Sequence, residues 1–234
     1  MIQKITRSII ASYYKPVKAF VNDPHGTQQS TLKYLLEHGR NTYYGKIHQF
    51  DQVSSEDSYR SLVPVATYEH LRPYLDRIIV DKQKDVLWDT PVKWFAMSSG
   101  TTEDKSKYIP VTHESLKNGN YRAGYHMLGI YAHHHPDTSF VLGKSLVMGG
   151  SQQLNRIGDG IYTGDISAIL MKNLPLLTKR RRTPEKIALL PDWEEKLQKL
   201  ADYAMGADIR SFVGVPSWML VLLKKIIADS GRSI

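Results

Sequence analysis

Cysteine is absent from the 234 residues. A disulfide framework, thiolate zinc ligation and a cysteine nucleophile are therefore excluded, and the chain fits a reducing, cytoplasmic setting. Long apolar runs are missing too. Stretches such as Trp218–Leu223 fall far short of the roughly 20 residues a membrane-crossing helix needs. No repeat, low-complexity tract or Gly/Ser/Pro-rich linker forces a domain boundary, so residues 1–234 read as part of one domain. Acids are lacking at the start, where Lys4, Arg7, Lys15 and Lys18 all precede Asp23. That bias resembles a transit peptide. Yet Ile2, Ile5, Ile9, Tyr13 and Phe20 fall near one helical face, and the reading adopted is a helix packed on its own domain.

A 41% hydrophobic fraction and four tryptophans suffice for a sizeable core. The formal net charge is +8, which raises the question of a nucleic-acid partner. A phosphate track needs basic residues gathered on one face. The dense run is Lys179-Arg180-Arg181-Arg182, with Lys172 and Lys186 nearby, and no zinc-finger, recognition-helix or aromatic RNA-binding pattern accompanies it. The adopted reading is a solvated basic turn, without a nucleic-acid or membrane partner.

Residues 28–38 read as a helix stopping at Gly39, and Thr67 as the N-cap of a helix reaching Leu75. Residues 93–97 are short, aromatic and preceded by Pro91, and read as a strand. Thr112 opens a further helix, although Ser115 stands where a capping box would place Glu or Gln. Phe140–Met148 reads as a buried strand ending at the turn Gly149-Gly150, and residues 209–215 as another strand. Pro216 then starts a helix followed by Gly231. Strands alternating with helices predict an α/β fold, a layered and largely parallel sheet flanked by helices.

Ser98-Ser99-Gly100-Thr101-Thr102 follows the strand at 93–97, with Lys107 shortly after. Glycine lets backbone approach a ligand, flanking N–H groups can converge on an anion, and hydroxyls and a lysine add donors and charge. The spacing is not that of the P-loop, which ends in Gly-Lys-Ser/Thr. On residues alone, a solvent loop and an anion nest are both compatible with it.

The segment resembles the first ATP motif of acyl-adenylate-forming enzymes. The lysine's place and the ensuing "KYIPVT" resemble, more narrowly, the auxin-responsive-promoter family of acyl acid amido synthetases. "NTYYGK" at 41–46, "VPVATYEHLRPYL" at 63–75 and "GVPSWMLVLLKKI" at 214–226 are similar to that family as well. The resemblance implies the large N-terminal domain of an adenylating enzyme and a two-step, ATP-dependent ligase. A small carboxylic acid becomes an acyl-adenylate, and an amine, typically an amino acid, displaces AMP. Ser98, Ser99, Gly100, Thr101, Thr102 and Lys107 would hold the β- and γ-phosphates, with Mg2+ bridging them. Glu103 and Asp104 stand where many relatives place glycine, and are expected to weaken nucleotide binding. A non-catalytic ATP- or acyl-binding module, or a degenerate relative, is the alternative.

Gly149-Gly150-Ser151 ends a predicted strand, where open α/β sheets place ligand crevices. It is a candidate wall of the acyl pocket, as is Gly164–Leu170, and a tight turn explains the glycines equally well. His133-His134-His135 cannot easily converge on one ion, so no metal site is expected there. No nucleophilic triad has defensible spacing. The family's aromatic-Ser-Ser-Glu and Tyr-Arg-x-Gly-Asp segments are missing. The chain is accordingly expected to be truncated on its C-terminal side and inactive alone, with Trp218, Leu222 and Ile226 short of cover.

Overall fold

The structure, a computed structural model, describes residues 2–98, 107–150 and 154–231. Helices come first: α1 (Ile2–Ser12), α2 (Tyr14–Asn22), α3 (Pro24–Gly39), α4 (Tyr43–Ile47), α5 (Glu56–Leu62) and α6 (Tyr68–Ile79). Strands β1 (Trp94–Ser98) and β2 (Lys107–Val111) follow, then a π-helical stretch (Ser115–Tyr121) leading into α7 (Arg122–His134). Next come β3 (Lys144–Val147), β4 (Asn155–Gly158), β5 (Ile161–Gly164), α8 (Ile166–Lys172), α9 (Leu176–Arg180) and α10 (Glu185–Ala188). The described chain ends with α11 (Trp193–Met205), β6 (Ile209–Val213) and α12 (Pro216–Ser230).

These elements divide into two compact units, one comprising 15–124 and 155–163, the other 1–14, 125–154 and 164–234. In the first, a four-stranded sheet has the order β2-β1-β5-β4. Its core gathers Leu75 and Ile78 from α6, Val86, Phe95 and Ile161. Phe95 is fully buried, and its carbonyl accepts a 3.0 Å bond from the buried Thr163 hydroxyl. In the second unit, β3 and β6 pair in parallel, and Leu146 and Met148 pack with Leu197, Leu200, Met219, Leu222 and Ile226 from α11 and α12.

The α/β class is as the sequence predicts, and the pairing is mixed. The ladder β3–β6 is parallel, while β1–β2 and β4–β5 are antiparallel. Connection length explains this: parallel neighbours need a crossover of a dozen or more residues, whereas two residues suffice for the hairpin at Asp159-Gly160. Gly160 adopts φ +72°, the left-handed conformation such a tight turn favours.

Several expectations are corrected. Lys107–Val111 is a strand that the sequence reading missed; Pro110 tolerates it because β2 lies at the sheet edge, where a missing N–H breaks no ladder bond. The strand expected over 140–148 is confined to Lys144–Val147, after a 3-10 turn at Phe140–Leu142. The N-terminal helix is two helices, since Pro16 cannot donate to the Ser12 carbonyl. Ile9 and Phe20 are about half exposed rather than on a buried face. Leu222 and Ile226 are buried, and Trp218 stacks edge-on against Trp193 at 5.5 Å; the uncovered residues of α12 are Leu220, Val221 and Ile227.

Candidate functional site

Ser98 and Lys107 are the last residue of β1 and the first of β2, and they face each other in the ladder. The register runs without a break from Trp94↔Val111 to this pair. Residues 99–106 therefore leave and re-enter the sheet at adjacent points, a few ångströms apart as cross-strand partners are. Ser99, Gly100, Thr101, Thr102, Glu103 and Asp104 lie outside the described residues, as does Ser151.

The base of this hairpin is fixed from α6. Tyr68, capped behind by Thr67, places its hydroxyl oxygen to accept the Tyr108 N–H at 2.9 Å. The Lys107 ammonium lies over the same ring, 5.6 Å from its centroid, a cation–π distance. Among the described residues no carboxylate pairs with Lys107. Beyond β2, Thr112 and Ser115 exchange side-chain and backbone hydrogen bonds at 3.0 Å each, so serine completes the box expected to need Glu or Gln. Glu114 accepts from the Thr90 hydroxyl at 2.8 Å. Desolvation works against its carboxylate, but hydrogen bonds from its own backbone, Thr90 and Thr112 outweigh that, and its pKa is lowered.

A second polar cluster surrounds Gly149-Gly150, beyond the end of β3. The Gly149 N–H donates to the Ala188 carbonyl at 3.2 Å, and the Gly150 N–H to the Ser167 hydroxyl at 3.1 Å. Both glycine carbonyls accept from the ammonium of Lys196, at 3.1 and 3.2 Å. Lys196 is only 3% exposed. Burial lowers its pKa, against an opposing pull from Asp165. Asp165 itself caps α8 by accepting the Ser167 N–H at 2.6 Å. A Cβ on Gly149 would stand 2.7 Å from the end of the Leu189 side chain and one on Gly150 2.7 Å from the Asp165 carboxylate, so either would make that side chain shift.

Sequence reasoning missed Lys196, although a signal was present. Trp193, Lys196, Leu197 and Leu200 follow the helical spacing of one apolar face, which puts the lysine on the buried side of α11. The remaining candidates serve the fold. His133 stacks on Tyr14 at 4.0 Å and His135 contacts Tyr131. Lys179 bonds the Lys172 carbonyl and Arg181 the Gly143 carbonyl.

Three comparisons bear on what this geometry does. The GH3 family N-terminal domain matches residues 14–221. Indole-3-acetic acid-amido synthetase GH3.2 of Arabidopsis thaliana is 30% identical over 116 residues, 50% of this chain and 21% of that protein. Jasmonoyl--L-amino acid synthetase JAR6 of Nicotiana attenuata is 30% identical over 90 residues, 38% of this chain and 16% of that protein. Among solved structures, AtGH3.15 acyl acid amido synthetase in complex with 2,4-DB superimposes on 97% of this chain and 38% of its own, with TM-score 0.66 and 23% identity. That likeness is one of fold. The chain spans about a fifth or less of the two curated relatives and under two fifths of the solved structure.

Proposed function

The chain belongs to the GH3 family, through its N-terminal domain, and from that premise we propose that it serves the ATP-dependent joining of a small carboxylic acid to an amino acid. The acid's oxygen attacks the α-phosphorus of ATP and pyrophosphate leaves. The amine nitrogen then attacks the acyl carbon, loses a proton, and AMP departs. This chain contributes the phosphate-binding part. Ser98, Ser99, Gly100, Thr101 and Thr102 offer hydroxyl and backbone donors to the β- and γ-phosphates, and Lys107 offsets their charge.

The observation that carries this reading is the Ser98↔Lys107 pair. It anchors both ends of a glycine-hydroxyl loop on one ladder, with an ammonium group that no described carboxylate neutralises. Catalysis of phosphate departure is mostly positioning and charge stabilisation, which a loop held at both ends serves well. Magnesium bound to the phosphates would neutralise charge as pyrophosphate leaves. Among the described residues no three carboxylates or histidines gather as metal ligands. Gly149 and Gly150, with Ser151, form a wall of the acyl pocket in this reading, with Lys196 fixing the turn. The names of the relatives suggest an acid with an apolar body. No described helix is long and apolar enough to cross a membrane, and use of ATP fits the cytoplasm.

The test is nucleotide binding followed by chemistry. ATP should raise the melting temperature, and Ser99→Ala combined with Thr102→Ala should remove the shift; a shift that survives the double substitution would sink the assignment. Acid-dependent exchange of labelled pyrophosphate into ATP then separates ligase from binding module. The aromatic-Ser-Ser-Glu and Tyr-Arg-x-Gly-Asp segments are not in this sequence, which favours a second reading of this chain by itself as an ATP-binding module. Binding without exchange would select it.

A further inference from the structure

Between α8 and α10 the chain makes the short helix α9, which opens on two leucines that solvent reaches. Leu176 is 79% exposed and Leu177 77%, whereas Leu174, just ahead of them, is 8% exposed. Leu174 and the buried Met171 anchor this segment in the core, and the two leucines that follow add little to it. The posture is held from behind. The Lys179 ammonium donates to the Lys172 carbonyl at 2.7 Å, and the Arg181 guanidinium to the Gly143 carbonyl at 3.1 Å. The Ser145 N–H donates to the Arg181 carbonyl at 2.7 Å, and the Thr183 N–H to the Ser145 carbonyl at 3.1 Å. All of these residues belong to the unit formed by 1–14, 125–154 and 164–234.

Positive charge surrounds the leucines. Residues 172–186 hold six basic residues against one acid, Glu185. Lys172, Arg180 and Lys186 are exposed. Arg180, three and four residues after the leucines, lies on their side of α9. The sequence reading takes the basic run as a solvated turn; the exposure of the leucines beside it is what the fold adds. Single exposed apolar side chains are ordinary, but an adjacent pair ringed by cations has the composition of an interfacial anchor.

We propose that α9 docks on the surface of a membrane carrying anionic lipid, with Leu176 and Leu177 entering the boundary between headgroups and acyl chains and Arg180 and Lys186 meeting lipid phosphates. Charge complementarity argues for that partner. A negative lipid surface attracts polybasic segments across about a Debye length, so cations that also hold backbone carbonyls add to the attraction. Nucleic acid would satisfy the cations and leave the leucines in water. A folded acidic protein needs a patch of about 800 Å2 on each partner for stable association, far beyond what a five-residue helix presents. The docking is peripheral, as no described helix is long and apolar enough to cross a membrane.

The whole chain, without nucleotide, is sedimented with sucrose-loaded vesicles of phosphatidylcholine alone or in a two-to-one mixture with phosphatidylglycerol. It should bind the mixed vesicles, bind phosphatidylcholine at least about tenfold more weakly, and release as salt is raised. Leu176→Ser combined with Leu177→Ser should weaken binding to the mixed vesicles by about tenfold or more. Arg180→Glu combined with Lys186→Glu should weaken it by about as much. The absence of cysteine lets Leu177→Cys carry a single polarity-sensitive dye, whose emission should move to the blue on the mixed vesicles. Failure to bind, equal binding to both kinds of vesicle, or an unmoved dye on bound protein would overturn the proposal. Undiminished binding by the leucine variant would overturn it too, in favour of a purely ionic partner such as nucleic acid. The phosphate-loop reading is tested separately, because ATP is absent from every one of these measurements.

Discussion

Lys196 places an ammonium group where almost no water reaches it and gives it two glycine carbonyls in exchange. Its pKa is lowered chiefly by burial. The folded protein therefore holds fewer protons at this site than the unfolded chain, between the lowered value and the ordinary 10.5. Stability must rise with pH across that window, and below it the full desolvation penalty applies. The urea midpoint of the native protein, taken relative to Lys196→Met, should climb as the pH is raised into the alkaline range. A difference that stays flat would remove the reading. At neutral pH the same substitution leaves two carbonyls without a donor and should cost about 1–3 kcal/mol. Gly149→Ala tests the other side of this contact. Its Cβ would meet Leu189, itself 5% exposed, at 2.7 Å. Overpacking of that kind destabilises by about 1–3 kcal/mol, measurable as a lower melting temperature.

Two elements carry the proposed phosphate loop, and each has one polar tie to its surroundings. Tyr68, at the start of α6, accepts the Tyr108 N–H of β2 and lies under the Lys107 ammonium. Tyr68→Phe keeps the ring and removes the acceptor, so stability should fall by about 0.5–1.5 kcal/mol. The ATP-induced melting shift should shrink with it, since β2 holds one end of the loop; an unaltered shift would show that the tie does not position Lys107. The helix after β2 is tied through Glu114 to Thr90. A carboxylate with a lowered pKa contributes stability that is present above its unfolded value and lost as the pH falls through its folded one. Thr90→Val should cost about 0.5–1 kcal/mol at neutral pH, allowing for solvent screening, and progressively less in acid. Equal losses at neutral and acidic pH in urea titrations would contradict this.

For the molecule as a whole, magnitudes decide how ligand and core compare. ATP at about 100 times its dissociation constant adds about 2.7 kcal/mol. Phe95 is fully buried in the unit that holds both loop ends, and Phe95→Ala should remove about 3–5 kcal/mol. The variant saturated with ATP should still melt below the nucleotide-free native protein. Melting above it would mean that the core around Phe95 relaxes into the cavity. Glu103→Gly acts in the opposite direction. Loss of a negative charge beside the proposed triphosphate site should tighten ATP binding by up to about 1 kcal/mol, as a several-fold lower dissociation constant. Weaker, magnesium-insensitive binding would instead make Glu103 a partner of the metal.

Local chemistry carried much of the secondary structure into the sequence. Pro216 opens α12 and Gly231 closes it in the left-handed conformation, Thr67 caps α6, and β1 follows Pro91 within a residue of its expected bounds. Such signals need only neighbouring residues. Tertiary structure decided what depended on distant partners. Lys107–Val111 became a strand because β1 supplies its ladder, despite Pro110. Lys196 was drawn inside because the Gly149-Gly150 carbonyls offer acceptors 46 or more residues away in the chain. Trp218, Leu222 and Ile226 found their cover in α11 and β3, although the sequence reading expected them to be short of it. Periodicity tells which residues share a face; which surface that face meets is settled only when segments far apart in sequence are brought together.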